Sequence, residues 1–184
     1  LSYNQFKKLK QGKYEVFIDS KFSKGSLTYG ELLIPGSTKD EILLSTYICH
    51  PSLANNEVSG PALLTFISSF LNSLKNRRYS YRIVFHPENI GAIAYICKNL
   101  INLKKYVKAG YVLSCVGDNK NFSYISSVNE NTYSDLIIKR VLKNQKFKKF
   151  SFEKRGSNER QFGCQNLNLP FVTLCRSRFG DYKE

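Results

Sequence analysis

The stretch EILLSTYICHPSLANNEVSGP, residues 41–61, decides the fold of this chain. Its first part, Glu41–Cys49, is a nearly continuous apolar run, which is typical of a strand covered on both faces in a parallel sheet. A polar loop, His50–Val58, follows. A helix is predicted to begin at Ser59, because a serine can cap a helix and Pro61 would stand in the first turn, where its missing N–H costs nothing. Strand, loop and helix in this order indicate an α/β unit.

The same alternation continues along the chain. Apolar residues at helical spacing predict helices, and apolar runs predict further strands. The helices are expected over 59–78, 88–102 and 131–144, the strands over 81–85, 111–116, 122–128 and 169–175, and a polar loop over 154–163. Such alternation favours a mostly parallel sheet with helices on both faces. The predicted fold class is therefore α/β, a three-layer α/β/α sandwich with a mostly parallel, mixed sheet.

The opening of the chain is predicted to be β structure. Tyr14–Asp19 alternates apolar and polar residues, Ser26–Ile34 is a second candidate strand, and a proline–glycine turn follows at 35–36. Residues 1–36 are accordingly expected to be either the edge of this sheet or the remnant of a small adjoining β domain. No linker or repeat divides the chain, so residues 1–184 are predicted to form a single domain. The absence of methionine indicates a domain truncated at both ends.

Charge and cysteine content bound the class of protein. Twenty-eight Lys and Arg against 14 Asp and Glu give a formal charge of +14, but the basic residues are scattered over different elements. We therefore do not expect nucleic acid to be the partner of this domain, although the charge keeps that class as a third hypothesis. Five scattered cysteines without a C-x-x-C pair argue against a disulfide framework and against a cysteine-based zinc site, and they indicate a reducing, cytoplasmic location. No apolar run is long enough to predict a membrane span.

Polar loops follow three of the predicted strands. His50 and Glu57 lie in the first loop, Glu88 in the second and Asp118 in the third. In open α/β sheets, ligands bind in the crevice at the carboxyl ends of the strands, so we expect these four side chains to converge. Imidazole and carboxylate are the usual ligands of hydrolytic zinc sites, which keep one position open for water. The loops thus indicate a candidate metal site, although no single spacing is diagnostic of one.

Each of these residues also has a structural interpretation. His50 could close the strand end with a backbone hydrogen bond, and Glu57 and Glu88 could be favourable anions near helix N-termini. Asp118 could be an ordinary turn residue. His86, directly before a proline, is interpreted as structural. The coincidence of the others at one end of one sheet is what favours a functional site.

Ser45–Pro61 resembles the signature of a bacterial aminopeptidase-like family that was long described only as a domain of unknown function. The family is often found near polysaccharide-biosynthesis genes. The likeness covers nearly the whole chain, since it continues through residues 79–82, 87–91, 115–118 and 155–161. The resemblance implies the α/β/α fold of the two-zinc aminopeptidases. It also implies a small β domain and a C-terminal winged-helix domain, neither of which residues 1–184 contain in full.

This chain departs from the ligand pattern that the resemblance implies. In two-zinc aminopeptidases the first site loop carries His-x-Asp and then Asp-Asn-x-Ser-Gly, of which only Ser59-Gly60 matches well. Glu88 matches the general base of those enzymes. The other implied ligand positions carry Tyr47, Cys49, Asn56, Asn89 and Ser114 instead. An Asp is expected where Asn158 stands, and a last histidine ligand would lie just past Glu184.

The leading hypothesis is a zinc-dependent hydrolase of the exopeptidase type, which cleaves a peptide or small amide near a free amino group. Glu88 would be the general base, and His50, Glu57 and Asp118 would hold the metal ion. The alternative is a non-catalytic ligand-binding domain on a degenerate peptidase scaffold, since several implied ligand positions are altered.

Overall fold

Seven strands form one mixed sheet in the computed structural model, which describes residues 2–178. The strands are β1 (Gly30–Ile34), β2 (Glu41–Tyr47), β3 (Ser80–His86), β4 (Val107–Leu113), β5 (Phe122–Ile125), β6 (Phe147–Phe150) and β7 (Phe171–Cys175). Their order across the sheet is β1-β3-β2-β4-β7-β5-β6. The four central strands β3, β2, β4 and β7 are parallel, β1 and β5 pair antiparallel with β3 and β7, and β6 runs parallel to β5.

Within residues 2–178, five α-helices and two short turns accompany the strands. The helices are α1 (Tyr3–Lys7), α2 (Ser59–Ser73), α3 (Ile90–Tyr106), α4 (Tyr133–Val141) and α5 (Glu159–Phe162), with a π-helical turn at Ala54–Val58 and a 3₁₀ turn at Phe152–Lys154. No helix among residues 2–178 is both long and apolar enough to cross a bilayer.

The helices cover both faces of the sheet, because successive strand side chains point to opposite faces. On one face α2 packs through Leu64 and Leu71, and α4 packs through Ile138. On the other face α3 and α5 bury Tyr95 and Phe162 against the sheet. Three layers result, which confirms the predicted α/β/α sandwich with a mixed, mostly parallel core.

The four parallel strands bring their carboxyl ends to one edge of the sheet. Tyr47 at the end of β2 pairs in register with His86 at the end of β3, so the loops that follow these two strands leave the sheet side by side. This edge is the one at which the strand-end rule places the candidate site.

Two local predictions are wrong. Tyr14–Asp19 is not a strand; residues 13–29 have no regular structure, and the side chains of Val16, Phe17 and Ile18 are exposed, so their alternation has no partner strand within the described chain. Ser59 does not cap α2. It is the first residue of that helix, and its hydroxyl donates to the Asn55 carbonyl and accepts from the Val116 N–H at 3.0 Å. The π-helical turn runs directly into α2, so no side-chain cap is needed there.

Gly60 shows why the helix begins where it does. A Cβ at this position would lie 2.3 Å from the Thr46 hydroxyl oxygen and 2.6 Å from the Leu113 carbonyl oxygen. Both atoms belong to one hydrogen bond of 2.8 Å between β2 and β4. The glycine therefore allows the first turn of α2 to lie directly on the two central strands, beside the candidate site.

Candidate active site

His50, Glu57 and Cys49 form a cluster at the end of β2. The His50 Nδ1 atom lies 3.0 Å from Glu57 Oε2 and 3.4 Å from Cys49 Sγ. The backbone N–H of Cys49 donates to the other carboxylate oxygen of Glu57. One imidazole, one carboxylate and one thiol thus offer ligand atoms within 4.8 Å of one another.

A wide turn brings Glu57 into this cluster. The π-helical turn Ala54–Val58 follows Ser52, which has a positive φ of 67°, and it buries the side chains of Asn55, Asn56 and Glu57. Single π-helical turns are rare and often occur at functional sites. The Glu57 carboxylate is directed back to the strand end rather than only to the N-terminus of α2. Its structural interpretation as a helix-terminus anion is therefore incomplete.

Glu88 approaches the same cluster from the next loop. Its Oε2 atom lies 3.9 Å from His50 Nε2, and its backbone N–H donates to Cys49 Sγ at 3.1 Å. Burial raises the pKa of the Glu88 carboxyl. A carboxyl with a raised pKa can exchange a proton nearer to neutral pH, which is the property that a general base or acid requires.

Asp118 is held by a different set of partners. Its carboxylate accepts from Asn55 Nδ2 at 3.1 Å, from the Lys120 N–H at 2.8 Å and from the Ser177 hydroxyl. Burial opposes ionisation here, but these three hydrogen bonds outweigh it and lower the pKa of Asp118. The contact with Asn55 connects the loop after β4 to the π-helical turn. Cys49, rather than Asp118, lies beside His50 and Glu57. A ligand role for Asp118 stays a prediction.

The altered positions of the first site loop make contacts of their own. The buried Tyr47 hydroxyl hydrogen-bonds the Ser114 hydroxyl, and burial raises the pKa of Tyr47 well above its ordinary value. The Asn56 amide donates to Cys115 Sγ at 3.9 Å. Neutral groups therefore meet where the resemblance implies charged ligands. The carboxylates that the resemblance implies for a second metal ion are therefore missing at Asn56 and Ser114.

Asn89, the residue after Glu88, is held by contacts with the segment that carries α5. Its φ of 58° is unusual for a residue with a side chain. Its N–H donates to the buried Asn158 Oδ1 at 2.8 Å, and its own side-chain oxygen accepts from Gln161 at 3.1 Å. Asn158, where the resemblance implies an Asp, thus positions the backbone directly after Glu88. This supporting contact could not be predicted from the sequence, because 69 residues separate the two positions.

His86 is structural, as predicted from the proline that follows it. The side chain is fully buried, its Nδ1 atom lies 3.2 Å from the Pro87 carbonyl oxygen, and its Nε2 atom lies 3.1 Å from the Ser45 hydroxyl. Because a carbonyl only accepts, Nδ1 donates and Nε2 accepts from Ser45. Both nitrogens are used within the core. Burial lowers the pKa of His86.

This burial predicts a pH dependence of stability. The folded-state pKa of His86 lies below the unfolded value of about 6.5, so below that pH the unfolded chain binds a proton that the folded chain refuses. The free energy of unfolding should therefore fall by at most about 1 kcal/mol between pH 6.5 and 5.5 from this group alone. Urea unfolding of wild type and His86→Gln at both pH values checks this. The unfolding free energy should change more between the two pH values in the wild type than in His86→Gln, and this difference isolates His86. Equal changes in the two proteins would contradict the assignment.

The cluster fits a zinc ion by the chemistry of its donors. Thiolate, imidazole and carboxylate are the three protein ligands that zinc uses, and a tetrahedral ion would place such donors about 3.3–3.6 Å apart. The observed 3.0 and 3.4 Å from His50 Nδ1 to Glu57 and Cys49 are close to those separations. Partial burial raises the pKa of the Cys49 thiol, which argues against an activated nucleophile. A bound zinc ion would ionise this thiol.

A shallow apolar cleft of about 420 Å³ borders the cluster. Its walls include Ile48, Pro51, Val58 and Pro61 together with His50 and Glu57. An apolar wall next to polar convergent groups is the usual arrangement of a small-molecule or peptide side-chain site.

The fold is similar to that of zinc aminopeptidases. The zinc aminopeptidase BSAP from Bacillus subtilis shares the fold with a TM-score of 0.65 at 12% identity, over 85% of this chain and 41% of that one. A crystal structure from Clostridium acetobutylicum, described as a peptidase, aligns with a TM-score of 0.85 at 42% identity, over 98% of this chain and 43% of the other.

Residues 9–184 match the family described as a domain of unknown function, DUF4910, and the chain belongs to that family. A Clostridium acetobutylicum relative, whose name describes a polysaccharide biosynthesis protein with an aminopeptidase-like domain, is 43% identical over 182 residues. The match covers 98% of this chain but 42% of the relative, so the chain spans less than half of the relative's length. The family resemblance drawn from Ser45–Pro61 is confirmed.

Proposed function

We propose that this domain is a metal-dependent hydrolase of the exopeptidase type. The observation that carries the proposal is the approach of Glu88 to a cluster of three potential metal ligands, Cys49, His50 and Glu57. A single ion would be held there, since the positions implied for a second ion are engaged in the neutral contacts of Tyr47 and Asn56.

The residues divide the chemistry between them. A bound zinc ion supplies a Lewis acid that lets water ionise near neutral pH. The Glu88 carboxylate accepts the proton of the attacking water and passes it to the departing amine, which is the exchange that its raised pKa favours. The imidazole of His50 lies between Glu57 and Glu88, with Nδ1 towards Glu57 and Nε2 towards Glu88.

Substrates of this site are peptides or small amides. The cleft beside the cluster has apolar walls at Ile48, Val58 and Pro61, which suit an uncharged side chain next to the scissile bond. Its shallow shape suits the end of a chain better than an extended segment.

A non-catalytic binding domain is the second candidate. The hydrogen bond between Tyr47 and Ser114 favours it, because it closes off a position that the resemblance assigns to a metal ligand. Under this alternative the cluster would not bind metal, and the cleft would hold a ligand without cleaving it.

Zinc titration of the full-length protein separates the two candidates. We expect the wild type to bind one equivalent of zinc tightly. Cys49→Ala and Glu57→Gln should each weaken zinc affinity by more than roughly 10–100-fold, the loss caused by changes to residues outside the ligands. Competition with a chromophoric chelator measures this, and elemental analysis after chelator-free purification gives the stoichiometry. Asp118→Asn should leave the affinity nearly unchanged if the ligand set is Cys49, His50 and Glu57.

Cys97→Ala is the matched control, because Cys97 lies exposed on α3. If Cys97→Ala weakens zinc affinity as much as Cys49→Ala does, the loss reflects non-specific binding of zinc by thiols. A folded wild type that binds no zinc at all favours the non-catalytic domain. Loss of binding in Asp118→Asn, with Cys49→Ala unaffected, would restore the ligand set predicted from the sequence.

A further inference from the structure

The outer face of α2 carries an exposed apolar stripe. We call it the α2 stripe and define it by Leu63, Phe66 and Phe70, which follow one another at spacings of three and four residues and therefore lie on one side of the helix. Their exposed fractions are 37%, 77% and 62%. The helix packs on the sheet through the buried Leu64 and Leu71. The α2 stripe is thus a second apolar face of this helix, and residues 2–178 leave it open to solvent.

The helix α2 also lacks charge. Its 15 residues include no Lys, Arg, Asp or Glu, whereas α3 and α4 each carry three charged residues. The whole chain has a formal charge of +14, which repels a second copy wherever two cationic surfaces would meet. A surface through which two copies can associate without this repulsion has to be neutral. The outer face of α2 is such a surface.

The size of the α2 stripe fits a small interface. With about 200 Å² for a whole phenylalanine side chain, the exposed fractions amount to roughly 350 Å² of apolar surface per copy. Patches of about 300–600 Å² are the largest that monomers usually expose, and they are often functional. Each partner in a standard interface buries about 800 Å², so the α2 stripe would form the apolar centre and its polar neighbours the rim. Association through it should be reversible at micromolar concentrations.

We propose that the α2 stripe binds a second copy of this chain, with the two α2 helices antiparallel about a two-fold axis. In such an interface, residue i of one copy meets residue j of the other, and j meets i. An axis next to Phe66 places Leu63 of each copy opposite Phe70 of the other and brings the two Phe66 rings together. Every stripe residue then has an apolar partner. Small exposed residues beside the stripe let the helices approach to the usual distance of about 8–10 Å: Ala62, Ser69 and Ser73.

The proposed dimer borders the candidate active site. Val58 is 60% exposed, lies directly before α2 and lines the cleft beside His50 and Glu57. In the antiparallel arrangement the C-terminal end of α2 from the second copy lies next to Val58, so each copy contributes to the surroundings of the other's cleft. The inference goes beyond the proposed hydrolase. Dimerisation needs neither zinc nor turnover, so its failure is distinguishable from failure of the hydrolase.

Sedimentation equilibrium of the full-length protein tests the proposal, over about 1–100 µM protein and in about 0.5 M salt, which screens the repulsion between copies. We expect a monomer–dimer equilibrium in the wild type. Phe66→Asp removes the central rings and places two like charges at the axis, so it should weaken dimerisation roughly tenfold or more. Because Phe66 is largely exposed, the thermal unfolding midpoint of the monomer should stay near that of the wild type.

Phe66→Cys supplies a second measurement. A cysteine at the two-fold axis faces its own counterpart within the reach of a disulfide, so mild oxidation should cross-link this variant into dimers. The wild type, which has exposed cysteines at 49, 97 and 164, gives the background and should cross-link much less. Cross-linking of Phe66→Cys no greater than this background would contradict the antiparallel arrangement.

Ile101→Asp is the matched control, because Ile101 is 80% exposed on α3, which packs on the other face of the sheet. It should dimerise as the wild type does. Equal weakening in Ile101→Asp, or a dimer that persists in Phe66→Asp, overturns the assignment to α2. A wild type that stays monomeric overturns the proposal.

Two further outcomes would assign the α2 stripe to a different occupant. If Phe66→Asp unfolds the monomer, another part of the same chain covers the stripe. If the wild type instead co-sediments with phosphatidylcholine vesicles and Phe66→Asp does not, the stripe binds a lipid surface. Either result overturns the assignment to a second copy.

Discussion

Glu88→Gln in the full-length protein should lower amide hydrolysis by roughly 10²–10⁴-fold, the range that a positioned general base contributes. Glutamine keeps the shape of the side chain and one acceptor oxygen but cannot take a proton. The Glu88 backbone N–H, which donates to Cys49 Sγ, is untouched by the change. The loss should therefore appear in kcat, measured by release of a fluorescent amine from aminoacyl amides with zinc supplied, while zinc affinity stays near that of the wild type.

Thermal unfolding completes this experiment. A glutamate near a helix N-terminus contributes only about 0.3–1 kcal/mol, so the unfolding midpoint should barely move. Glu153→Gln, the same change at an exposed residue of the 3₁₀ turn, should alter neither activity nor stability. If Glu88→Gln unfolds the domain while activity per folded molecule persists, Glu88 is structural. A zinc-loaded wild type without turnover on any amide would favour the binding domain.

The rule that sites lie at the carboxyl ends of parallel strands explains how much of this site could be predicted. It selects His50, Glu57 and Glu88 from loops that follow β2 and β3, and the in-register pairing of Tyr47 with His86 brings those loops together. Only residues that follow a strand closely can be found in this way. Asn158 escapes the rule, because its contact with Asn89 depends on how a distant loop folds back.

Cys49 is absent from the predicted ligand set for a different reason. Its neighbours in the sequence are apolar on one side and a histidine on the other, so its context is similar to that of the scattered structural thiols. What brings Glu57 next to it is the π-helical turn Ala54–Val58, which apolar periodicity does not predict. An adjacent Cys-His pair at the end of a buried strand is the signal that could have identified it.

The fold was predictable where burial was strong and less so elsewhere. The central strands and the long helices match their apolar runs, with boundaries shifted by a few residues: α2 ends at Ser73, α3 extends to Tyr106 and β4 begins at Val107. The edge strand β6, Phe147–Phe150, is not predicted, because its Lys148 and Lys149 indicate only surface charge. The four-residue helix α5 lies in the predicted polar loop, since its buried Glu159 and Phe162 are too few to produce a periodic pattern.

Glu159→Ala should destabilise the domain far more than Glu88→Gln. The Glu159 side chain is fully buried in α5. Its Oε1 atom accepts from the Gly156 and Ser157 N–H groups at 2.9 and 3.1 Å, and its Oε2 atom accepts from the Thr173 hydroxyl at 2.8 Å. Alanine would leave three donors without an acceptor, two of them buried, at about 1–3 kcal/mol for each buried group. We expect a loss of roughly 3–5 kcal/mol, a large part of the 5–15 kcal/mol typical of a domain.

Urea unfolding of wild type, Glu159→Ala and Glu159→Gln measures this loss and separates its causes. Glutamine keeps one acceptor oxygen for the two backbone N–H groups, and the Thr173 hydroxyl can turn to accept from the new amide, so this variant should lose only about 1 kcal/mol. Glu153→Ala, an exposed neighbour on the 3₁₀ turn, should stay within about 0.5 kcal/mol of the wild type. Because the same loop carries Asn158, which holds the Asn89 N–H, the folded fraction of Glu159→Ala should also lose activity through misplacement of Glu88. An unchanged unfolding midpoint in Glu159→Ala would mean that the loop of residues 156–158 finds other acceptors and that Glu159 does not anchor it.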